Sequence, residues 1–170
     1  MRILSKEDAT ELLNGKSLDD YISELSGQLQ LVKGAYSTPT SSLKHIALSN
    51  LFVYLLFRDS PVCIYITGWG VATSMDVLDL FYGYRRSHGE SRPLMEAPVH
   101  VFEPIDHDAL ISVFRMVFFF FWDAWLIDLA GRSLLRLSHD GWLEVRARDE
   151  SIIKEVAVEL KDYDISLLHR

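Results

Sequence analysis

Apolar residues recur at helical spacing through the first third of the chain and at strand spacing near its end, and this switch sets the predicted order of elements. Ser5, with Asp8 three residues on and then Ala9, Leu12 and Leu13, reads as an N-cap opening a short helix that Asn14-Gly15 stops. Ser17 repeats the arrangement. Asp19 and Asp20 fall in its first turn, where carboxylates suit the helix dipole, and Leu18, Ile22, Leu25, Leu29 and Val32 mark one face. The spacing predicts a second helix weakened by Gly27 and ended by Gly34. After a hydroxyl-rich connector over 37–42, Leu43 to Phe57 is apolar nearly all round and predicts a buried third helix, broken by Asp59-Ser60-Pro61.

Val62 to Thr67 is β-branched and aromatic between Pro61 and Gly68, the signature of a buried strand. Ser74 and Asp76 open a fourth helix that runs to Arg85 and Arg86, Val99 to Phe102 is a short strand, and Asp106 or Asp108 caps a helix from Ala109 to about Val117. The segment from Pro93 to Pro98 is expected to be the most mobile. Aromatic crowding from Phe118 to Asp128 leaves no side for a solvated helix face, which predicts a long central strand. Leu134 to His139, Asp140-Gly141 and Trp142 to Arg148 then form a hairpin on a two-residue turn. Its last strand alternates Leu143, Val145 and Ala147 against Trp142, Glu144, Arg146 and Arg148, so one sheet face should be wet. A closing helix begins at Ser151, with Ile152, Val156 and Leu160 inward. The whole is predicted to be one α+β domain over 1–170: N-terminal helices packed with a small, mainly antiparallel sheet ending in a meander, and a C-terminal helix.

Composition agrees with a well-cored domain, being 49% hydrophobic and 12% aromatic over 170 residues. A lone cysteine, Cys63, excludes an intramolecular disulfide, and the charged N-terminal stretch lacks the apolar core of a secretory signal, so a cytoplasmic location is expected. The apolar runs Leu43 to Phe57 and Ala109 to Ala130 are too short or too charged to predict a membrane span. Net charge is −7, with 8 basic residues against 13 acidic ones beyond residue 100. That balance disfavours direct nucleic-acid binding and favours a basic protein partner.

Candidate chemistry is sparse. Ser138-His139-Asp140 has the residue types of a hydrolase, but neighbours on a strand point to opposite faces, so turn chemistry accounts for them better. Asp123 and Asp128, set among rings, are read as exposed or partner-binding carboxylates, with Trp122 or Trp125 exposed beside them. His88 with Glu90, His100 with Glu103, and His107 with Asp106 or Asp108 lack metal-site spacing and are expected to be solvated. Gly68-x-Gly70 before the Ser74 helix is an incomplete phosphate cradle, so no cofactor or metal is expected. Arg85, Arg86 and Arg92 are expected to pair locally with Glu90 or Glu96 or to serve a helix end.

The stretch Phe120-Phe121-Trp122-Asp123-Ala124-Trp125-Leu126-Ile127-Asp128, leading into Leu137-Ser138-His139-Asp140-Gly141-Trp142-Leu143, resembles bacterial immunity proteins of contact-dependent growth inhibition systems. The resemblance implies a cytoplasmic antidote that binds and blocks a toxin domain, often a nuclease, without turnover. Its expected partner-binding residues are Asp123, Asp128, Asp140, Trp142, Glu144 and, outlying, Trp69, since aromatic anchors supply interface energy and acidic groups choose the partner. The alternatives are a small hydrolase whose carboxylates and histidines converge only in the fold, or a structural subunit of a larger assembly.

Overall fold

The computed structural model describes residues 1–69, 74–163 and 165–168. Its elements run β1 (Arg2–Leu4), α1 (Lys6–Leu12), α2 (Leu18–Gln28), β2 (Gln30–Ser37), α3 (Ser42–Leu56), β3 (Val62–Gly68), α4 (Met75–Ser87), β4 (Val99–Phe102), α5 (His107–Phe119), β5 (Asp123–Asp128), β6 (Ser133–Ser138), β7 (Trp142–Ala147) and α6 (Glu150–Asp162). The seven strands form one sheet in the order β1-β4-β3-β5-β6-β7-β2, every neighbouring pair antiparallel, which makes the fold α+β as expected.

The helix starts follow the sequence. The Ser5 hydroxyl accepts from the Asp8 amide while the Asp8 carboxylate accepts from the Ser5 amide, a reciprocal cap, and Ser17 accepts from the Asp20 amide. Asp149, rather than Ser151, caps α6.

Helices cover both sheet faces. On one lie α3, α4, α5 and α6, enclosing the larger core around Phe52, Ile64, Phe81, Phe102, Phe114, Leu126 and Val145. On the other, α1 and α2 place Ala9, Leu13, Leu18, Ile22 and Leu25 over Cys63, Val101, Ile127 and Leu134. The second face is therefore only half wet, which corrects the expectation drawn from β7 alone.

Two elements differ from their predicted form. The second helix stops at Gln28, and the chain turns into β2, which carries a bulge between Leu31 and Ala35. Leu29 and Val32 fit a helical face, but Val32 is instead a fully buried strand residue of the larger core. The expected long strand over 118–128 is also shorter. Phe118 and Phe119 complete α5, and the strand begins only at Asp123. Between them Phe121 adopts φ 53°, with its amide bonded to Phe118 O and that of Trp122 bonded to Val117 O. This is the paired-bond helix ending in which glycine usually occupies the left-handed position. The ring crowding is resolved by burying Phe118 and Trp122 and leaving Phe119 out. Trp122, expected to be exposed, packs edge-on against Phe81 at 4.9 Å.

Segment 93–98, expected to be mobile, is tied into the fold. Leu94 and Ala97 are fully buried, the Leu94 amide donates to the Tyr82 hydroxyl, and buried Arg85 donates to Ala97 O. At the far edge of the sheet, residues 166–168 run along β2, with Ser37 N bonded to Ser166 O and Leu168 N to Ala35 O. Among the described residues no helix is long and apolar enough to cross a membrane.

Candidate functional site

The half of the second sheet face that α1 and α2 leave uncovered gathers several chemistry-bearing residues of the C-terminal half. Direct cross-strand pairing sets a row across four strands: Tyr65 of β3, Trp125 of β5, Arg136 of β6 and Glu144 of β7. Such neighbours stand about 5 Å apart, close enough for long side chains to stack. The Arg136 guanidinium lies 5.0 Å from the Trp125 ring centroid and 4.7 Å from that of Trp142, so it is held between two indoles. At the other end of the row the Lys6 ammonium sits 5.3 Å from the Tyr65 ring. Arg136 is exposed, Trp125 and Glu144 are half-buried, and Trp142 is buried beneath the guanidinium.

Beside this row stands a polar corner. Asp123 accepts from the backbone amide of His139 at 3.0 Å and meets its Nδ1 at 2.6 Å, while His139 Nε2 lies 3.3 Å from an Asp140 carboxylate oxygen. The hydrogen bond and charge of Asp123, aided by Asp140, raise the His139 pKa above its usual value. The hairpin tip that presents His139 is a three-residue loop. Ser138 pairs with Trp142, the Gly141 amide returns to Ser138 O, and Gly141 alone takes positive φ, at 76°. It is a type I turn followed by a left-handed glycine, not the expected two-residue turn. Gly68 completes the corner, because a Cβ there would stand 2.6 Å from Asp123 Oδ2.

Four of the six expected binding residues, Asp123, Asp140, Trp142 and Glu144, thus share one region of the surface. Trp69 follows Gly68, which pairs with Asp123, but Trp69 packs partly against the larger core on the other side. Asp128 is a correction. It is fully buried at the far end of β5, accepting from the Ser60 hydroxyl, the Ala130 and Arg132 amides, and Arg132 Nε at 2.9 Å. A carboxylate so enclosed fixes the β5–β6 turn and offers no contact to a partner. Ser138 and His139 diverge as expected, the Ser138 hydroxyl accepting from the Asp140 amide.

The other candidates resolve structurally. His100, expected to be solvated, is fully buried on β4. Its burial, reinforced by the Arg85 charge, pushes its pKa down to about 3. The Arg92 guanidinium engages Glu90 through three nitrogen–oxygen contacts, one at 2.6 Å, and its backbone amide adds a fourth, as the local-pairing reading expects. No cluster of metal-ligating side chains occurs among the described residues, and Gly70 lies outside them. A cleft of about 600 Å³ opens between α3 and α6, but Arg58, Arg132 and Arg148 are balanced there by Asp59, Asp149 and Glu155.

Sequence reasoning missed Arg136, the centre of the stacked row. The signal was a single charge in the otherwise apolar Leu134-Leu135-Arg136-Leu137, on the face opposite the core. In comparisons with family models, curated proteins and solved structures, the chain matches none of them.

Proposed function

We propose that this chain is a non-catalytic binding protein that captures a basic protein partner on the uncovered half of its sheet, in the manner of an immunity protein neutralising a toxin domain. The observation that carries the proposal is the Trp125–Arg136–Trp142 stack flanked by Asp123, Asp140 and Glu144. Indole and guanidinium groups held rigid by a sheet lose little entropy on contact, and tryptophan and arginine are the residue types that dominate interface energetics. Asp140 is the most exposed member of the His139 corner, its side chain 67% accessible, and the chain carries −7 overall, so a basic partner would be steered to this side.

The test is capture of a partner from the source cells' lysate by the tagged full chain, at low and moderate salt. A stoichiometric basic protein, whose toxicity disappears when this chain is added, supports the reading. Asp140→Lys should slow its association, and Arg136→Ala should speed its release. A partner that binds both variants as it binds the parent would refute the face as the site.

One observation favours a second reading, a hydrolase: Asp123 orients His139 across 2.6 Å in the manner of a base and its orienting carboxylate. Against it, the adjacent Ser138 hydroxyl is buried and turned to the Asp140 amide. Turnover of ester substrates that vanishes in Asp123→Asn would reverse the preference.

A further inference from the structure

His139 sits between two carboxylates and addresses each with a different ring nitrogen. Nδ1 lies 2.6 Å from Asp123 Oδ2, and Nε2 lies 3.3 Å from Asp140 Oδ1. The two carboxylates are held unequally. Asp123 also accepts from the His139 amide at 3.0 Å, and it stands so close to β3 that only glycine, Gly68, fits opposite it. Asp140 projects from the hairpin loop with its side chain 67% accessible, and among the described residues its carboxylate meets no other donor.

An imidazolium has two N–H groups and can serve both carboxylates, whereas the neutral ring has one. Loss of the proton therefore leaves one carboxylate without its donor. Asp123 keeps the remaining N–H, because its contact is the shorter and a second hydrogen bond ties it to the same residue. Nε2 then turns a lone pair towards an Asp140 oxygen, a repulsive pairing that an exposed side chain escapes by swinging into solvent. The corner becomes one charge more negative at the same time. Near it, β3 contributes Thr67, whose hydroxyl donates to Asp123 O, and Thr38, just past β2, bonds through its amide to Gly141 O; neither ionises. Arg136 and Glu144, one charge of each sign, stand in the neighbouring row.

We propose, on the reading of this face as the surface for a basic partner, that His139 is a proton-operated latch on Asp140. With the ring protonated, the carboxylate is held against the hairpin; with the ring neutral, it is free to meet a lysine or arginine of the partner. The latch works in both directions. A basic side chain that takes Asp140 removes one of the two interactions favouring the imidazolium, so capture releases a proton and tightens as pH rises. The same carboxylates raise the His139 pKa, so the latch opens above the ordinary value of 6.5.

The experiment follows the full chain, isotope-labelled at its aspartate carboxyl carbons, by NMR from about pH 5.5 to about pH 9, and measures binding of hexa-arginine at low salt over the same range. The Asp140 carboxyl resonance should show an inflection at the midpoint of the His139 ring. Hexa-arginine should shift the Asp140 signals and bind about three- to tenfold more tightly at the upper pH than at the lower. His139→Gln, which can still donate to Asp123 but cannot titrate, should lose the Asp140 inflection and bind hexa-arginine at low pH as tightly as the parent does at high pH. An Asp140 resonance that ignores the titration of His139 overturns the latch while leaving the binding face intact. Hexa-arginine affinity that is flat with pH in the parent, or equally steep in His139→Gln, overturns it too. Hexa-arginine that leaves the Asp140 signals unmoved at every pH overturns instead the reading of this face as a surface for basic groups, and the latch's role with it.

Discussion

Arg136 illustrates how one side chain can organise a surface. Its guanidinium covers Trp142 and contacts Trp125, and each such contact is worth about 0.5–1 kcal/mol at an accessible site. Arg136→Ala should therefore destabilise the protein by about 1–2 kcal/mol in urea unfolding and shift tryptophan emission to the red as Trp142 meets water. Asp123 acts on His139 through charge and hydrogen bond. Asp123→Asn should lower the His139 pKa towards its ordinary value in an NMR titration, and Gly68→Ala should do the same indirectly by displacing the Asp123 carboxylate. Because the folded pKa of His139 is raised, its contribution to stability is full below the ordinary value of 6.5 and fades as pH climbs through the folded value. The carboxylates at this corner were legible because an Asp-Gly turn must lie at a hairpin tip. Asp128 misled because a buried turn carboxylate and an exposed one look alike in sequence; what separates them is the Ser60 hydroxyl, far away in the chain.

At the scale of elements, the hairpin turn decided what could be foreseen. A two-residue turn at Asp140-Gly141 pairs His139 with Trp142, whereas the three-residue loop pairs Ser138 with Trp142 and so sets Arg136 opposite Glu144. A slip of one residue exchanges sheet faces. The alternation of Leu135 and Leu137 against Leu143 and Val145 fits only the longer loop, so the register was present in the sequence, but the local turn signal overrode it. Gly141→Ala, placed at φ 76° with its Cβ 3.4 Å from Thr38 Oγ1, should cost about 1 kcal/mol or more in thermal unfolding. The starts of α1 and α2 were legible because capping is local. The ending of α5 was not, because it places a phenylalanine where glycine is usual, and only packing against His45 and α3 accounts for it.

Across the whole molecule, the sequence implied a sheet but not its extent. Seven strands in a single antiparallel order require β3 to bridge β4 and β5 and β2 to cross to β7, pairings between residues distant in the chain with no local signature. Embedding His100 between these strands makes stability depend on pH. The folded protein keeps it neutral down to about 3 while the unfolded chain protonates near 6.5, so stability is intact above 6.5 and is lost as pH falls through that window. His100→Leu should flatten the dependence of urea midpoint on pH over that range. Glu90, whose pKa its Arg92 partner lowers to about 2, adds a separate loss that begins only below 4.5. The strand-like run of 166–168 along β2 has its own implication for handling the protein. It occupies hydrogen-bonding groups on the outer edge of an eight-residue strand that would otherwise template the growth of foreign β-structure. A chain ending at Tyr163 should keep its helices and most of its sheet yet sediment as dimers and larger species, with slow growth of thioflavin-positive aggregates where the full chain stays clear. The tail would then act as a built-in guard against polymerisation.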